Sequence, residues 1–89
     1  MEIIYDEFKN ISNIKKHGVS FDEVKNLDWD SLIVMEDKRQ NYDEQRYIGY
    51  AIKGNRLYCI VYTMRYDLMR VISFRKANKR EVINYANNN

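Results

Sequence analysis

The 89-residue chain has no proline, one cysteine, one histidine and three glycines. With no proline and no Gly- or Ser-rich stretch, no linker is visible, and residues 1–89 read as a single domain. Cys59 has no second thiol for an internal disulfide; between Tyr58 and Ile60 it reads as a buried strand residue, which suits a cytoplasmic protein. One histidine, no Cys-x-x-Cys and acids without ligand spacing give no metal site and no cofactor to expect. There is no Gly-rich phosphate loop. No apolar run approaches the roughly 18 residues of a membrane span, and Glu2 and Asp6 sit where a signal-peptide core would be, so neither membrane nor secretion is expected.

Twelve aromatics, eight of them tyrosine, accompany 45% apolar and 31% charged residues, a globular composition. The core is small: a chain of this length buries only roughly 60–65% of its unfolded surface. The net charge of +2 hides an asymmetry. Residues 1–52 carry seven Lys or Arg against eleven acids; residues 53–89 carry eight against Asp67 and Glu81. The basic half suits an anionic partner, nucleic acid or an acidic protein; solubilising charge on strand edges is the plain alternative.

The periodicity predicts an α+β domain. Residues 1–5 begin as a short strand. Phe8, Ile11 and Ile14 mark one face of a helix over 7–16, and Gly18 ends it. Ser20 and Glu23 form a capping-box pattern that opens a second short helix, about 21–27. From Leu32 the period changes to that of strands: 32–35, 47–52, 56–63 and 69–74, with a polar loop over 37–44 and turns at 53–55 and 65–67. These make an antiparallel meander of about four strands, with 57–63 central because both its alternations are apolar. Asn78 and Glu81 are a second capping box, opening a C-terminal helix with a Val82, Tyr85, Ala86 stripe. The last residues, 87–89, read as a frayed end.

Cations and tyrosines gather around the last two strands. Arg65 ends one and Arg70 begins the next, while Ser73 and Arg75 share a face. Guanidinium forks grip phosphate bidentately, and tyrosines stack on exposed bases. His17 beside Lys16 could exchange a proton near neutral pH or simply end its helix. Spacing alone leaves open an anion site and a basic rim that binds nothing.

Residues 13–23, Asn-Ile-Lys-Lys-His-Gly-Val-Ser-Phe-Asp-Glu, resemble the N-K-H-G-V-S-F-x-E signature of the BrnT family of type II toxins. Arg46 to Gly49, Val61 to Arg65, Arg70 to Ala77, then Glu81 and Tyr85 are similar to that family's later blocks, in order. Two positions depart: Phe74 stands where a small Ala is usual, and Gln45 where a Glu is. The resemblance implies a compact toxin related in fold to the RelE/ParE superfamily, a metal-independent ribonuclease that inhibits translation. It implies a BrnA-type antitoxin in a hetero-oligomer, RNA as substrate, and operator DNA reached only through the antitoxin. Carried over by residue, the catalytic candidates are Lys16, His17, Arg65, Arg75, Glu81 and Tyr85, and the RNA-binding candidates are Arg70, Ser73 and Lys76. Two other readings stand beside it: a basic binding module without catalysis, and a corepressor that acts only with a DNA-binding partner.

Overall fold

The computed structural model describes residues 2–88. In chain order the elements are β1 (Ile3–Ile4), α1 (Glu7–His17), a 3₁₀ helix (Phe21–Asn26), β2 (Asp28–Glu36), β3 (Tyr47–Lys53), β4 (Arg56–Arg65), β5 (Leu68–Lys76) and α2 (Lys79–Asn87). The strands form one sheet in the order β1-β5-β4-β3-β2. β2 to β5 are the expected antiparallel meander, and β4 is central. Five strands replace the expected four, because β1 pairs in parallel with β5 through Ile3 and Ile4. The short strand expected over residues 1–5 is present as Ile3–Ile4; its parallel place in the sheet depends on the tertiary path of the chain. Met1 and Asn89, the outer ends of the expected first strand and frayed tail, lie outside the described residues.

One sheet face carries the core. Gly49, Ala51, Tyr58, Ile60, Tyr62, Val71 and Phe74 alternate onto it, and Phe21 and Val24 of the 3₁₀ helix pack against them with Leu27, which follows it. A Cβ at Gly49 would lie 2.9 Å from Leu32 Cδ1 and 3.2 Å from Ile60 Cγ2, so this position has no room for a side chain. Phe74 is fully buried and stacked on Tyr58 at 5.1 Å between ring centroids. The departure from a small residue at that position therefore fills the core. Gln45 is exposed and contributes its backbone oxygen, to the Thr63 hydroxyl, so its side chain is free to vary.

The second expected helix is a single stretch of 3₁₀ helix without a capping box. The Ser20 hydroxyl accepts from the Asp22 N–H rather than from Glu23, and the Glu23 carboxylate turns outward to Lys53 at 2.9 Å. Beyond it β2 begins four residues earlier than the apolar run. Ser31 bridges its irregular start: the Ile52 N–H donates to the Ser31 hydroxyl at 2.8 Å, in place of a regular ladder bond.

The helix α1 has the expected ends, with Asp6 accepting from the Lys9 N–H and Gly18 left-handed at φ 75°. Its faces are the reverse of the expectation. Phe8 is 83% exposed, and Ile11 and Ile14 are nearly half exposed, whereas Asn10 and Asn13 are buried. The reason is hydrogen bonding. Asn10 Oδ1 accepts from the Phe21 N–H at 2.8 Å. Asn13 accepts from the Phe74 N–H and donates to the Phe74 and Val19 carbonyls. β1 covers β5 only at Met69 and Arg70, so Asn13 supplies the pairing that the β5 backbone lacks further along. An amide side chain satisfies both backbone polar groups of one residue, which an isoleucine cannot.

Asn13→Ala should therefore cost about 2–3 kcal/mol, since it strands buried backbone groups, while Phe8→Ala should stay within about 0.5 kcal/mol as an exposed substitution. Urea unfolding of both variants checks this. A larger loss for Phe8→Ala would restore the apolar stripe as the packed face.

Candidate functional site

The face of the sheet opposite the core is open. Two rows cross it, set by the strand register: Ile33, Tyr50, Cys59 and Arg75, then Met35, Ile48, Val61 and Ser73. In β5 the register skips Ile72, because Val61 faces Ser73 while Tyr62 faces Val71. This bulge places Ile72 and Ser73 together on the open face. Past it the alternation is reset, so Arg70, opposite Thr63, lies on the same face as Ser73 and Arg75.

A cavity of about 350 Å³ occupies this face. Ile48, Cys59, Val61 and Ile72 line it with apolar surface; Arg39, Arg46, Ser73, Arg75 and Glu81 stand around them. A smaller hollow of about 260 Å³ adjoins it through Ile72 and Ser73, lined also by Lys9, Ser12, Lys16 and His17. The C-terminal end of α1 thus meets the bulge of β5.

Arg75 holds Glu81 in a bidentate pair, Nη1 to Oε1 at 2.8 Å and Nη2 to Oε2 at 2.9 Å. Glu81 also accepts from the Tyr50 hydroxyl and from the Asn78 N–H, the latter as half of the expected capping box. Arg75 above all, then the Asn78 amide and the Tyr50 hydroxyl, hold the Glu81 carboxyl down at about 2 against the cost of burial. Glu81 is a fixed anion with its oxygens occupied. Arg75 uses three of its five donors, two on Glu81 and one on the Lys76 carbonyl, which leaves two for a ligand. Partial burial, then Lys16 and Arg75, lower the His17 pKa, so its imidazole is neutral at pH 7 and able to accept a proton.

The structure brings Lys16, His17, Ser73, Arg75 and Glu81 to these two adjoining hollows, with Arg70 on the same face. Arg65 stands apart. It is six residues along β4 from Cys59, the partner of Arg75, a span of roughly 20 Å, and its Nη2 reaches Glu44 at 3.4 Å. Lys76 pairs with Tyr58 and so alternates onto the core-side face. The Tyr85 hydroxyl donates to the Ser31 carbonyl and pins α2 to β2. The α2 stripe of Val82, Tyr85 and Ala86 borders a shallow hollow with Ile52 and Leu57, yet no residue of this helix is fully buried.

Sequence reasoning passed over Tyr50, and it read residues 37–44 only as a polar loop. Asp37 is buried at the root of that loop. Its carboxylate accepts from the Arg39 N–H, Nε and Nη2 and from the Tyr42 hydroxyl, and these bonds hold it well below the usual carboxylate range. The Arg46 guanidinium lies 4.1 Å from the Tyr42 ring centroid. The Asp-x-Arg spacing was the available signal. Among the described residues no group of three or more His, Cys, Asp or Glu side chains converges as a metal site would require. Among the described residues no helix is long and apolar enough to cross a membrane.

These features define a small α+β protein whose open sheet face sets cations around an apolar floor, with a neutral imidazole beside them. A family model described as the ribonuclease toxin BrnT of type II toxin–antitoxin systems matches residues 5–81. The chain belongs to that family. No curated protein matches it by sequence.

The Glu81 pKa carries a sign for stability. Held at about 2 against an ordinary 4.5, it contributes stability fully present above about pH 4.5 and lost as pH falls toward 2. The shift amounts to at most about 3 kcal/mol. The stability gap between wild type and Glu81→Gln should thus be widest near neutrality and close between pH 5 and 2. Chemical unfolding of both proteins across that range measures it; a gap independent of pH would contradict the ion-pair account.

Proposed function

We propose that this protein is a ribonuclease toxin that cleaves RNA without a metal ion, with attack by the ribose 2′-oxygen on the adjacent phosphorus, at the junction of α1 and β5. The observation that carries the reading is the meeting of Lys16 and His17 with Ser73 and Arg75 across the Ile72 bulge. In the reaction the 2′-O–P bond forms as the 2′-hydroxyl proton passes to the neutral His17 imidazole. The P–O5′ bond breaks, and the leaving oxygen takes a proton from Lys16. Arg75 turns its two free donors to the phosphorane oxygens, where charge develops. Glu81 and Tyr50 keep that guanidinium in place. Glu81 is a positioning carboxylate rather than a base, since Arg75, Tyr50 and Asn78 occupy its oxygens. Tyr85 acts through α2, which it tethers. Arg70 and Arg65 extend the cationic track for the RNA backbone beyond the hollow; Lys76, on the other face of the sheet, has no part in it.

A BrnA-type antitoxin fits as the neutralising partner in the cytoplasm, in a complex that reaches operator DNA through the antitoxin. A cationic face is best silenced by an acidic or apolar segment laid over Arg75, and charge complementarity would also speed the encounter.

Purified protein with RNA and EDTA should give fragments ending in 2′,3′-cyclic phosphate. His17→Gln should slow single-turnover cleavage by roughly 10²–10⁴-fold and abolish the acidic limb of the pH–rate profile. Arg75→Lys, which keeps the charge but loses the fork, should slow it by roughly 10²–10³-fold, the scale of a lost oxyanion-hole donor; Arg65→Ala should lose far less. Folded His17→Gln with wild-type rates, or cleavage that EDTA abolishes and a divalent ion restores, would overturn the mechanism.

A further inference from the structure

The proposed reaction uses one side of the larger cavity, the Ser73 and Arg75 side. The apolar floor and the opposite rim remain without a role. On that rim Arg46 differs from its neighbours. Arg39 gives its Nε and Nη2 to Asp37, and three donors of Arg75 are engaged by Glu81 and Lys76. The Arg46 side chain makes no hydrogen bond among the described residues; it is positioned by the Tyr42 ring at 4.1 Å. Its Nε is shut off from solvent without an acceptor, and the Glu44 carboxylate, at 3.7 Å, is beyond hydrogen-bond reach. A buried donor without an acceptor is destabilising until a ligand oxygen meets it. Ile48, Cys59, Val61 and Ile72 line the same cavity as Arg46 and Arg75 and give it an apolar floor.

We propose that this cavity is a nucleotide subsite: one RNA base lies on the Ile48–Val61 floor, and Arg46 binds the phosphate next to the one that Arg75 holds. The substrate class rests on the RNA-cleavage reading. The volume, about 350 Å³, is at the lower end of ligand pockets and fits one nucleotide rather than two. Apolar and aromatic platforms accept any base by its face, and guanidinium groups suit the flanking phosphates. The polar oxygens at the rim are taken: Asp37 by Arg39 and Tyr42, Glu81 by Arg75 and Tyr50. Few acceptors remain to read a base edge, and the free donors sit on mobile arginine tips and Ser73. The preference at this position is therefore graded, by size and stacking, rather than absolute.

The test titrates ¹⁵N-labelled protein with the four ribonucleoside 3′-monophosphates and, separately, with inorganic phosphate. The nucleotides should move the Ile48, Val61 and Ser73 amides and bind at least tenfold more tightly than phosphate. Arg46→Ala should weaken nucleotide binding about tenfold and raise KM for RNA more than it lowers kcat. Val61→Phe, which fills the floor, should remove the advantage of nucleotides over phosphate; its spectrum reports whether it is folded, and Arg46→Ala carries the test if it is not. Equal affinity for phosphate and nucleotides, or shifts confined to the amides of residues 9–17, would overturn the subsite. Amides at the floor that ignore nucleotides but respond to purified antitoxin would overturn it too and make the cavity a protein contact. Floor binding that depends on Arg46 in a protein that cleaves no RNA would uphold the subsite and sink the cleavage reading instead; cleavage without floor binding would do the reverse.

Discussion

Everything on the open face depends on how α1 is seated, and Asn13 seats it. The β5 backbone has β4 on one side for its whole length but β1 on the other for only two residues. Asn13 closes the gap by bonding both polar groups of Phe74, one residue from Ser73. With that contact fixed, the next turn of α1 brings Lys16 and His17 to the bulge at Ile72. An apolar side chain at position 13 would pack, but it would leave the backbone unpaired and the helix free to slide. Register matters more here than burial.

A second polar contact performs the same task at the other end. α2 has no fully buried residue, so hydrophobic area does little to hold it. It is attached through Glu81 to Arg75 and Tyr50, and through Tyr85 to Ser31. The same Arg75 that fastens the helix also faces the cavity. Binding of an anion at Arg75 and docking of α2 are therefore coupled, because both draw on one guanidinium.

Much of this was legible in the sequence, and what was not has physical reasons. Asp6 and Gly18 bracket α1 by local rules, and the doubly apolar 57–63 reveals a central strand. The capping box at Asn78 held because its bonds are local, three residues apart. The face of α1 was misjudged because Asn10 and Asn13 are buried through bonds to residues 11 and 61 positions away, which no window sees. The 3₁₀ helix looked like an α-helix because Glu23 had a partner in Lys53 that the capping pattern could not weigh. In the site, Lys16, His17, Ser73 and Arg75 came from motif and strand alternation. The bulge that brings Arg70 to the face of Ser73 and Arg75 has no signature in the sequence, and in a polar loop the Asp-x-Arg spacing was too slight a signal that Asp37 would bury itself and bring Arg46 to the cavity.

The described elements do not cover both faces of the five-stranded sheet, and the arrangement follows from that shortage of cover. The 3₁₀ helix and the buried edge of α1 cover one face with the bulky side chains available. The other receives only a polar-tethered helix and a loop folded around one buried carboxylate. Apolar residues left on that second face, Ile48 and Val61 among them, become the floor of a cavity rather than part of a core. On α1 the same shortage leaves Phe8 in solvent, because the face turned to the sheet had to carry amides. The cavity stays open because what lies over this face is held by polar contacts at its edges, and the cations around it give that opening its chemistry.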